Sequence, residues 1–314
     1  MRHSNPNQLS SNRSLHRKKT LQLLLLAFPA ILLIFVFNYI PMAGIVIAFK
    51  NINYAQGIFK SPWVGFDNFH FFFTSKDAWL VVRNTLGYNL GFIAIGNVIS
   101  VIFALMLNEV SSRRWIKFYQ TTFFFPFFFS WVIVSYMVFI FFSGNPSGVL
   151  VNLLALVHVD ISDFYINSRY WPPFMLFLGI WKGLGYTSVI YYASIMGLPA
   201  EFFEAAEIDG ATKRQIIWHI TLPQIVPTIT ILVLLSIGKI FYSDFGLFYF
   251  VPANISQLFS VTQTIDTYIF RMLKVSGDIG MSAAVGAFQS VIGLVLVLFS
   301  NFAVRKISPD NSAF

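Results

Sequence analysis

Four acidic side chains, Glu201, Glu204, Glu207 and Asp209, fall within nine positions of EFFEAAEIDGATKRQIIWHITLP (201–223), between two of the most apolar stretches of the chain. Two lysines, Lys182 in GIWKGLGY and Lys239 in SIGKIFYSDFG, interrupt long apolar runs, and Asp244 follows the second. These are the positions where the sequence concentrates chemistry. Composition removes most other reaction centres. There is no cysteine, which excludes thiolate metal sites, disulfides and cysteine nucleophiles. The five histidines, His3, His16, His70, His158 and His219, form no i, i+4 pair, so no metal site is expected. A phosphate-cradling loop reads G-x-x-x-x-G-K-[ST]. The nearest fragment, SIGKI (236–240), lacks the first glycine and the hydroxyl residue, so no nucleotide or other cofactor site is expected on this chain. Asp160 and Asp163 in HVDISDF could be a carboxylate pair for a membrane enzyme acting on lipid-linked sugars, but without metal-ligand spacing they read as solvated turn residues.

The elements that must position these residues are set by the solvent. Of 314 residues, 56% are hydrophobic and 11% charged, and the mean hydropathy is +0.69. Soluble domains carry about 25% charged residues, so the bilayer is the natural medium. About 20 apolar residues cross the hydrocarbon core as a helix. Six segments qualify: 21–49, 85–107, 118–142, 172–197, 225–245 and 283–304. The expected fold is an all-α integral membrane protein with six transmembrane helices. The first segment, interrupted by Pro29 and Pro41, is too long for a signal peptide's apolar region and reads as an uncleaved span.

Loop cations orient the chain. Twelve lie in one set of short segments: Arg2, Arg13, Arg17, Lys18 and Lys19; Arg113, Arg114 and Lys117; Lys213 and Arg214; Arg305 and Lys306. Seven lie in the longer opposite set: Lys50, Lys60, Lys76, Arg83, Arg169, Arg271 and Lys274. Cations near span ends accumulate on the cytoplasmic side. Both termini and the 201–223 island are therefore expected in the cytoplasm of a plasma-membrane protein. The organisation expected is a basic tail over 1–20, a transmembrane domain over 21–304 with a loop at 198–223, and a tail over 305–314. The net charge of +8 follows from this topological bias, and nucleic-acid binding is not expected. The aromatic-rich external loops (50–84, 143–171 and 246–282) predict short interfacial helices against lipid or another protein.

Within the island, Pro199 suits a helix first turn, and Glu201 and Glu204 place negative charge near the positive end of the helix dipole. Asp209-Gly210 is a turn signal, and Asp209 can cap a second helix starting near Ala211 and reaching about His219. The local prediction is helix, tight turn, helix. By composition alone it is a charged amphipathic connector on the membrane surface.

The segment EAAEIDGATKRQIIWHITLP resembles the cytoplasmic EAA loop of permease subunits of binding-protein-dependent ABC importers. Glu204, Ala205, Ala206, Asp209, Gly210, Ala211, Ile220, Leu222 and Pro223 match that pattern, and Ile217 stands where the family often has Phe. The segments NYIPMAGIVIAFKNIN, SPWVGFDNF, RNTLGYNL, ALMLNEV, GIWKGLGYTSVIYYASI and AAVGAFQSVIGLVLVLFSN look like the polysaccharide branch of maltose-type carbohydrate permeases. The resemblance implies the type I ABC importer permease fold, with Glu201, Glu204, Ala205, Ala206, Asp209, Gly210 and Ala211 in a coupling helix that docks on a separate ATPase. It also implies a second homologous permease, two ATP-binding subunits that hold ATP and Mg, and an extracellular sugar-binding protein, lipid-anchored in many members.

A path for oligosaccharide should join hydrogen-bonding groups with aromatic platforms. The candidates are Asn89, Ser188 and Ser236 for the former, and Trp181, Tyr186, Tyr191 and Tyr242 for the latter. Lys182, Lys239 and Asp244 are the ionisable candidates, since charges inside a membrane are costly and mark function; Lys239 paired with Asp244 as a structural bridge is the competing reading. Two lysines beside such a path point to uronate-containing cargo. An ion-coupled secondary sugar transporter is the principal alternative, but it needs an intramembrane carboxylate or histidine, and the spans offer almost none beyond Asp244 at a boundary. A membrane scaffold without cargo is the other.

Overall fold

A backbone inside hydrocarbon must satisfy its own hydrogen bonds, so uninterrupted apolar runs become helices. The computed structural model describes residues 6–143, 148–156, 161 and 163–307. Arg2, His3, His158, Asp160 and the end of the C-terminal tail (308–314) lie outside the described residues. No strand forms among the described residues, apart from one isolated bridge between Lys50 and Trp63.

Five helical segments are long and apolar enough to cross a membrane: Gln22–Phe49, Lys76–Asn108, Ser168–Met196, Lys213–Gly238 and Ile279–Lys306. A bent pair, Arg113–Phe128 with Trp131–Phe142, makes a sixth if it counts as one span. We number them in chain order, the bent pair being span three. The residues before Leu21, expected as a solvated basic tail, continue the first helix N-terminally, and that helix begins at Pro6.

Span three bends by 95° at its break. The cause is local. Pro126 donates no hydrogen bond, the Phe125–Phe128 turn tightens to 3-10, and Phe129 and Ser130 are extended. The second half restarts at Ser130, whose hydroxyl accepts the Ile133 N–H at 3.3 Å. Against this bend, span four packs backbone to backbone. A Cβ on Gly185 would lie 2.3 Å from the Phe123 carbonyl oxygen. Small residues commonly permit such approach between membrane helices.

Three apolar clusters join the spans. One gathers Tyr88, Val134, Val138, Trp171, Met175, Leu178, Leu247 and Phe248. A second joins Phe72, Val81, Ile265, Tyr268 and Val285. The third holds Val101, Ala104, Tyr191, Ile195 and Ile225, binding spans two, four and five. Span one differs. None of its apolar window is buried, and only its last turn packs inward, with Ala48 against Ala284 and Ala287 of span six.

Span five runs over Lys213–Gly238, not 225–245 as its hydropathy suggested. It starts early because Thr212 caps the helix, and a π-turn at Ile217–Thr221 carries it into Pro223, where a missing N–H is tolerated. It ends early because Asn89 of span two donates to the carbonyls of Ile240 (2.9 Å) and Tyr242 (3.0 Å), holding residues 239–244 unwound. Beyond it lie the short helices Phe245–Phe250 and Ile265–Arg271. Asp266 fastens this region to the bundle: it accepts from the Ser243 N–H at 2.6 Å, the Ser243 hydroxyl at 2.8 Å and the Gln289 amide at 3.2 Å. The aromatic external loops do form short helices, such as Asp67–Thr74.

Candidate functional site

Spans two, four and five and the unwound segment 239–244 enclose a cavity of about 700 Å³. Asn89, Tyr186, Ser236, Lys239, Tyr242 and Asp244 line it, as do Asn97, Ser100, Thr187 and Ser243. Of the path residues chosen from sequence, Trp181, Lys182, Ser188 and Tyr191 do not. Trp181 packs at the edge of the Trp171 cluster. Ser188 is buried and its hydroxyl donates to the Gly185 carbonyl at 3.1 Å. Tyr191 is fully buried, yet its hydroxyl reaches the cavity wall, donating to Asn97 Oδ1 at 2.6 Å.

The two lysines have different surroundings. Lys182 Nζ donates to the Phe127 carbonyl at 2.8 Å, where span three breaks, and lies 5.6 and 5.3 Å from the ring centroids of Phe127 and Trp131. It supplies a cation to the carbonyl end of a broken helix, where the dipole favours one. Lys239 lines the cavity and has no hydrogen-bond or ion-pair partner for its ammonium among the described residues. The Lys239–Asp244 bridge weighed from sequence does not form; the one ion pair among the described residues lies elsewhere. Asp244 is held instead by neutral donors. Trp131 Nε1 donates to Oδ2 at 2.6 Å, and the N–H groups of Gly246 (3.0 Å) and Leu247 (3.3 Å) donate to Oδ1. Lys239 is thus the one cation of the cavity wall and Asp244 its one anion.

The polar groups are part anchored, part free. The two hydrogens of the Asn89 amide nitrogen are shared among three carbonyls within 3.0 Å, those of Thr85, Ile240 and Tyr242, and its Oδ1 has no donor among the described residues. The Ser236 hydroxyl is bound within its own helix, to the Leu232 carbonyl at 2.8 Å. Tyr186 is half exposed and stacks on Phe127, centroids 5.3 Å apart at 11°. Tyr242 is likewise half exposed beside span six. Asn97 and Ser100 were missed in the sequence. Their signal was present: Asn89, Ile93, Asn97 and Ser100 share one helical face at i, i+4, i+8 and i+11. Asp163, the described half of the carboxylate pair, accepts from the Asn167 side chain at 2.9 Å within a turn.

The island folds as helix, turn, helix. Pro199 is the N-cap and lies outside the helix Ala200–Ile208, so Glu201, but not Glu204, sits in the first turn. Asp209 ends that helix. The Gly210 N–H bonds the Glu207 carbonyl at 3.1 Å and the Ala211 N–H bonds the Ala206 carbonyl at 2.9 Å. This is a Schellman closure. It requires a left-handed residue, and Gly210 supplies it at φ +76°. Ala206 and Ala211 are the paired backbone ends of the cap. Thr212, not Asp209, caps the next helix, Lys213–Ile216. Its hydroxyl accepts the Gln215 N–H while Gln215 Oε1 accepts the Thr212 N–H at 2.8 Å, a capping box that Asp209 lies too far upstream to make. Glu201, Glu204, Ala205, Asp209, Gly210 and the side chain of Ile208 (87%) are exposed, which leaves an outward ridge.

Residues 96–309 match the family model described as binding-protein-dependent transport system inner membrane component. Among curated proteins, the chain is 34% identical to protein LplB of Bacillus subtilis (strain 168) over 297 residues, covering 95% of this chain and 92% of that one. It is 33% identical over 288 residues to the polygalacturonan/rhamnogalacturonan transport system permease protein YteP of the same organism, covering 92% and 89%. Among solved structures, a chain of a bacterial ABC transporter involved in the import of the acidic polysaccharide alginate superposes with a TM-score of 0.84 at 33% identity, covering 94% of this chain and 98% of that one.

Proposed function

The chain belongs to the binding-protein-dependent transport inner-membrane components and is a carbohydrate ABC importer permease; from that premise we propose that its cargo is an acidic, uronate-containing oligosaccharide, recognised at Lys239. One observation carries the cargo assignment: the cavity wall holds a single cation, and that cation forms no ion pair, the wall's one anion, Asp244, being bound to Trp131 and two backbone N–H groups. Lys239 is exposed on that wall, so its ammonium is open to an anionic ligand, and ionisable groups within a membrane protein commonly mark function. A uronate carboxylate supplies that anion, the free Oδ1 of Asn89 accepts a sugar hydroxyl, and Tyr186 and Tyr242 offer ring faces to sugar C–H surfaces. Asp244 keeps its charge turned to Trp131 and two backbone donors, so it competes little for Lys239. The names of YteP and of the alginate importer support the same cargo class.

In this reading both termini and the 198–223 loop face the cytoplasm, and the exposed ridge from Glu201 to Ala211 docks on a separate ATPase. Two such ATP-binding subunits hold ATP and Mg, a second homologous permease completes the path, and an extracellular sugar-binding (lipo)protein delivers cargo. ATPase closure pulls the loop, the spans alternate between inward and outward access, and hydrolysis resets them. The test is uptake by proteoliposomes containing the whole transporter. ATP-dependent, vanadate-sensitive uptake of oligouronate in preference to neutral oligosaccharide is expected. Uptake driven by an ion gradient without ATP would sink the importer reading; equal uptake of neutral cargo would sink the cargo reading alone.

A further inference from the structure

We infer that the Lys213–Glu109 ion pair is a strut that carries motion of the 198–223 loop into span two, the span that lines the cavity with Asn89, Asn97 and Ser100. The inference rests on the coupling role proposed above for that loop. Lys213 Nζ lies 2.6 Å from Glu109 Oε2, and this is the one ion pair among the described residues.

Each charge is misplaced for its own helix. Glu109 is the C-cap of Asn97–Asn108, where the dipole disfavours an anion. Lys213 is the first residue of Lys213–Ile216, where the dipole disfavours a cation, and Arg214 follows it. Neither charge helps its helix; the two make sense only together, 104 residues apart in sequence. The Thr212 capping box fixes where the lysine starts. Glu207 of the preceding island helix lines the same pocket as this pair. Lys213 therefore links the second island helix to the end of span two.

The pair also bridges open space. A second cavity of about 470 Å³ lies between the loop and the bundle, lined by Glu109, Glu207 and Lys213 on its polar side and by Ile195, Phe203 and Ile217 on the other. The loop is thus not close-packed on the span ends at this pocket, and the ion pair is the polar contact there, beside the apolar contact that Leu198 and Leu222 make with the Val101–Ile225 cluster. An exposed pair of this kind contributes little to folding stability. A strut across a gap gives it a different use. Span two then receives the loop's motion at Glu109 and delivers it, along one rigid helix, to Asn97 and Ser100. Span five receives it directly through the chain. Two walls of the cavity move from one docking event.

The experiment uses the whole transporter with Glu109→Lys, Lys213→Glu and the double reversal. Each single reversal is expected to keep ATPase co-purification and basal hydrolysis while cutting binding-protein-stimulated uptake about fivefold or more. The double reversal, which restores opposite charges, is expected to recover most of that loss. A double reversal no better than the worse single variant, with assembly intact, overturns the strut. So do single reversals that transport like the parent. Should a reversal lose assembly, Glu109→Gln and Lys213→Gln, which remove charge without creating repulsion, are read in its place, with the same expected loss of uptake. Failure of the underlying coupling role has another signature: Glu204→Lys then leaves ATPase assembly unchanged, which the strut variants do not probe.

Discussion

The 199–223 loop and the transmembrane cavity gather their residues in opposite ways. The loop is one contiguous stretch whose shape is written by neighbours: a Schellman closure at Ala206–Ala211 and a capping box at Thr212–Gln215. The cavity takes residues from three spans and an unwound segment, with Asn89 and Asp244 at its sequence extremes. Local geometry makes the loop sensitive to single backbone positions. The cavity depends on long-range polar contacts, where most single changes remove only one of several. The difference teaches that a charged side chain is to be judged by its partners and not by its rarity. Lys182 and Lys239 look alike in the sequence, but one closes a broken helix and the other faces open space.

The comparison can be broken most sharply at the loop. Glu204 has no partner within the chain among the described residues, so Glu204→Lys should leave the thermal stability of the isolated permease unchanged and reduce ATPase co-purification at least about tenfold, an interfacial loss of about 1.4 kcal/mol. A drop in stability with assembly preserved would reverse the assignment. Gly210→Val comes next. Any β-branched residue at φ +76° is strained by about 1–2 kcal/mol, and the cap must open. Circular dichroism should show the bundle intact while stimulated hydrolysis falls about tenfold.

In the cavity, Lys239→Met should lower the uptake ratio of oligouronate to neutral oligosaccharide about tenfold, as expected when a charged hydrogen bond of about 1.5–3 kcal/mol is lost. Lys182→Met should leave that ratio unchanged and destabilise the permease, because the Phe127 carbonyl loses its donor. Competition uptake with the two labelled sugars measures the first and thermal unfolding in detergent the second; an altered ratio in Lys182→Met would merge the two lysines again. The smallest effect belongs to Ser188→Ala. Its hydroxyl touches only the Gly185 carbonyl of its own helix, so uptake should match the parent and stability should change by less than about 0.5 kcal/mol.

The loop was almost wholly legible in the sequence, down to its turn glycine. The first helix begins one residue late, at Ala200, which puts Pro199 outside it and Glu204 beyond its first turn; Asp209 was taken as the second cap because Asp and Thr are both good N-caps, and Gln215, three residues after Thr212, carried the deciding signal. The spans were legible as spans because apolar length is a bulk property. Their rotation was not. A helix apolar all round has no stripe to say which face looks inward, so the sequence could not tell that Trp181, Lys182, Ser188 and Tyr191 lie outside the wall of the cavity of about 700 Å³. Span two was the exception in principle, since Asn89, Asn97 and Ser100 mark one face. The early end of span five was invisible because it depends on Asn89, about 150 positions away.

The bend in span three bears on how the chain is made. Membrane helices enter the bilayer roughly in the order of synthesis. Span one has the most apolar window, none of which is buried, and can enter unaided. Span four is the least apolar of the five straight spans and carries Lys182, and a lysine at mid-helix raises the cost of insertion by about 2.5–3.5 kcal/mol. In the folded chain the preceding helix is broken at Phe129, which leaves the Phe127 carbonyl free to accept from the ammonium. A kink that would be a defect in an isolated helix thus gives the lysine of the next span a carbonyl to bind within the bundle.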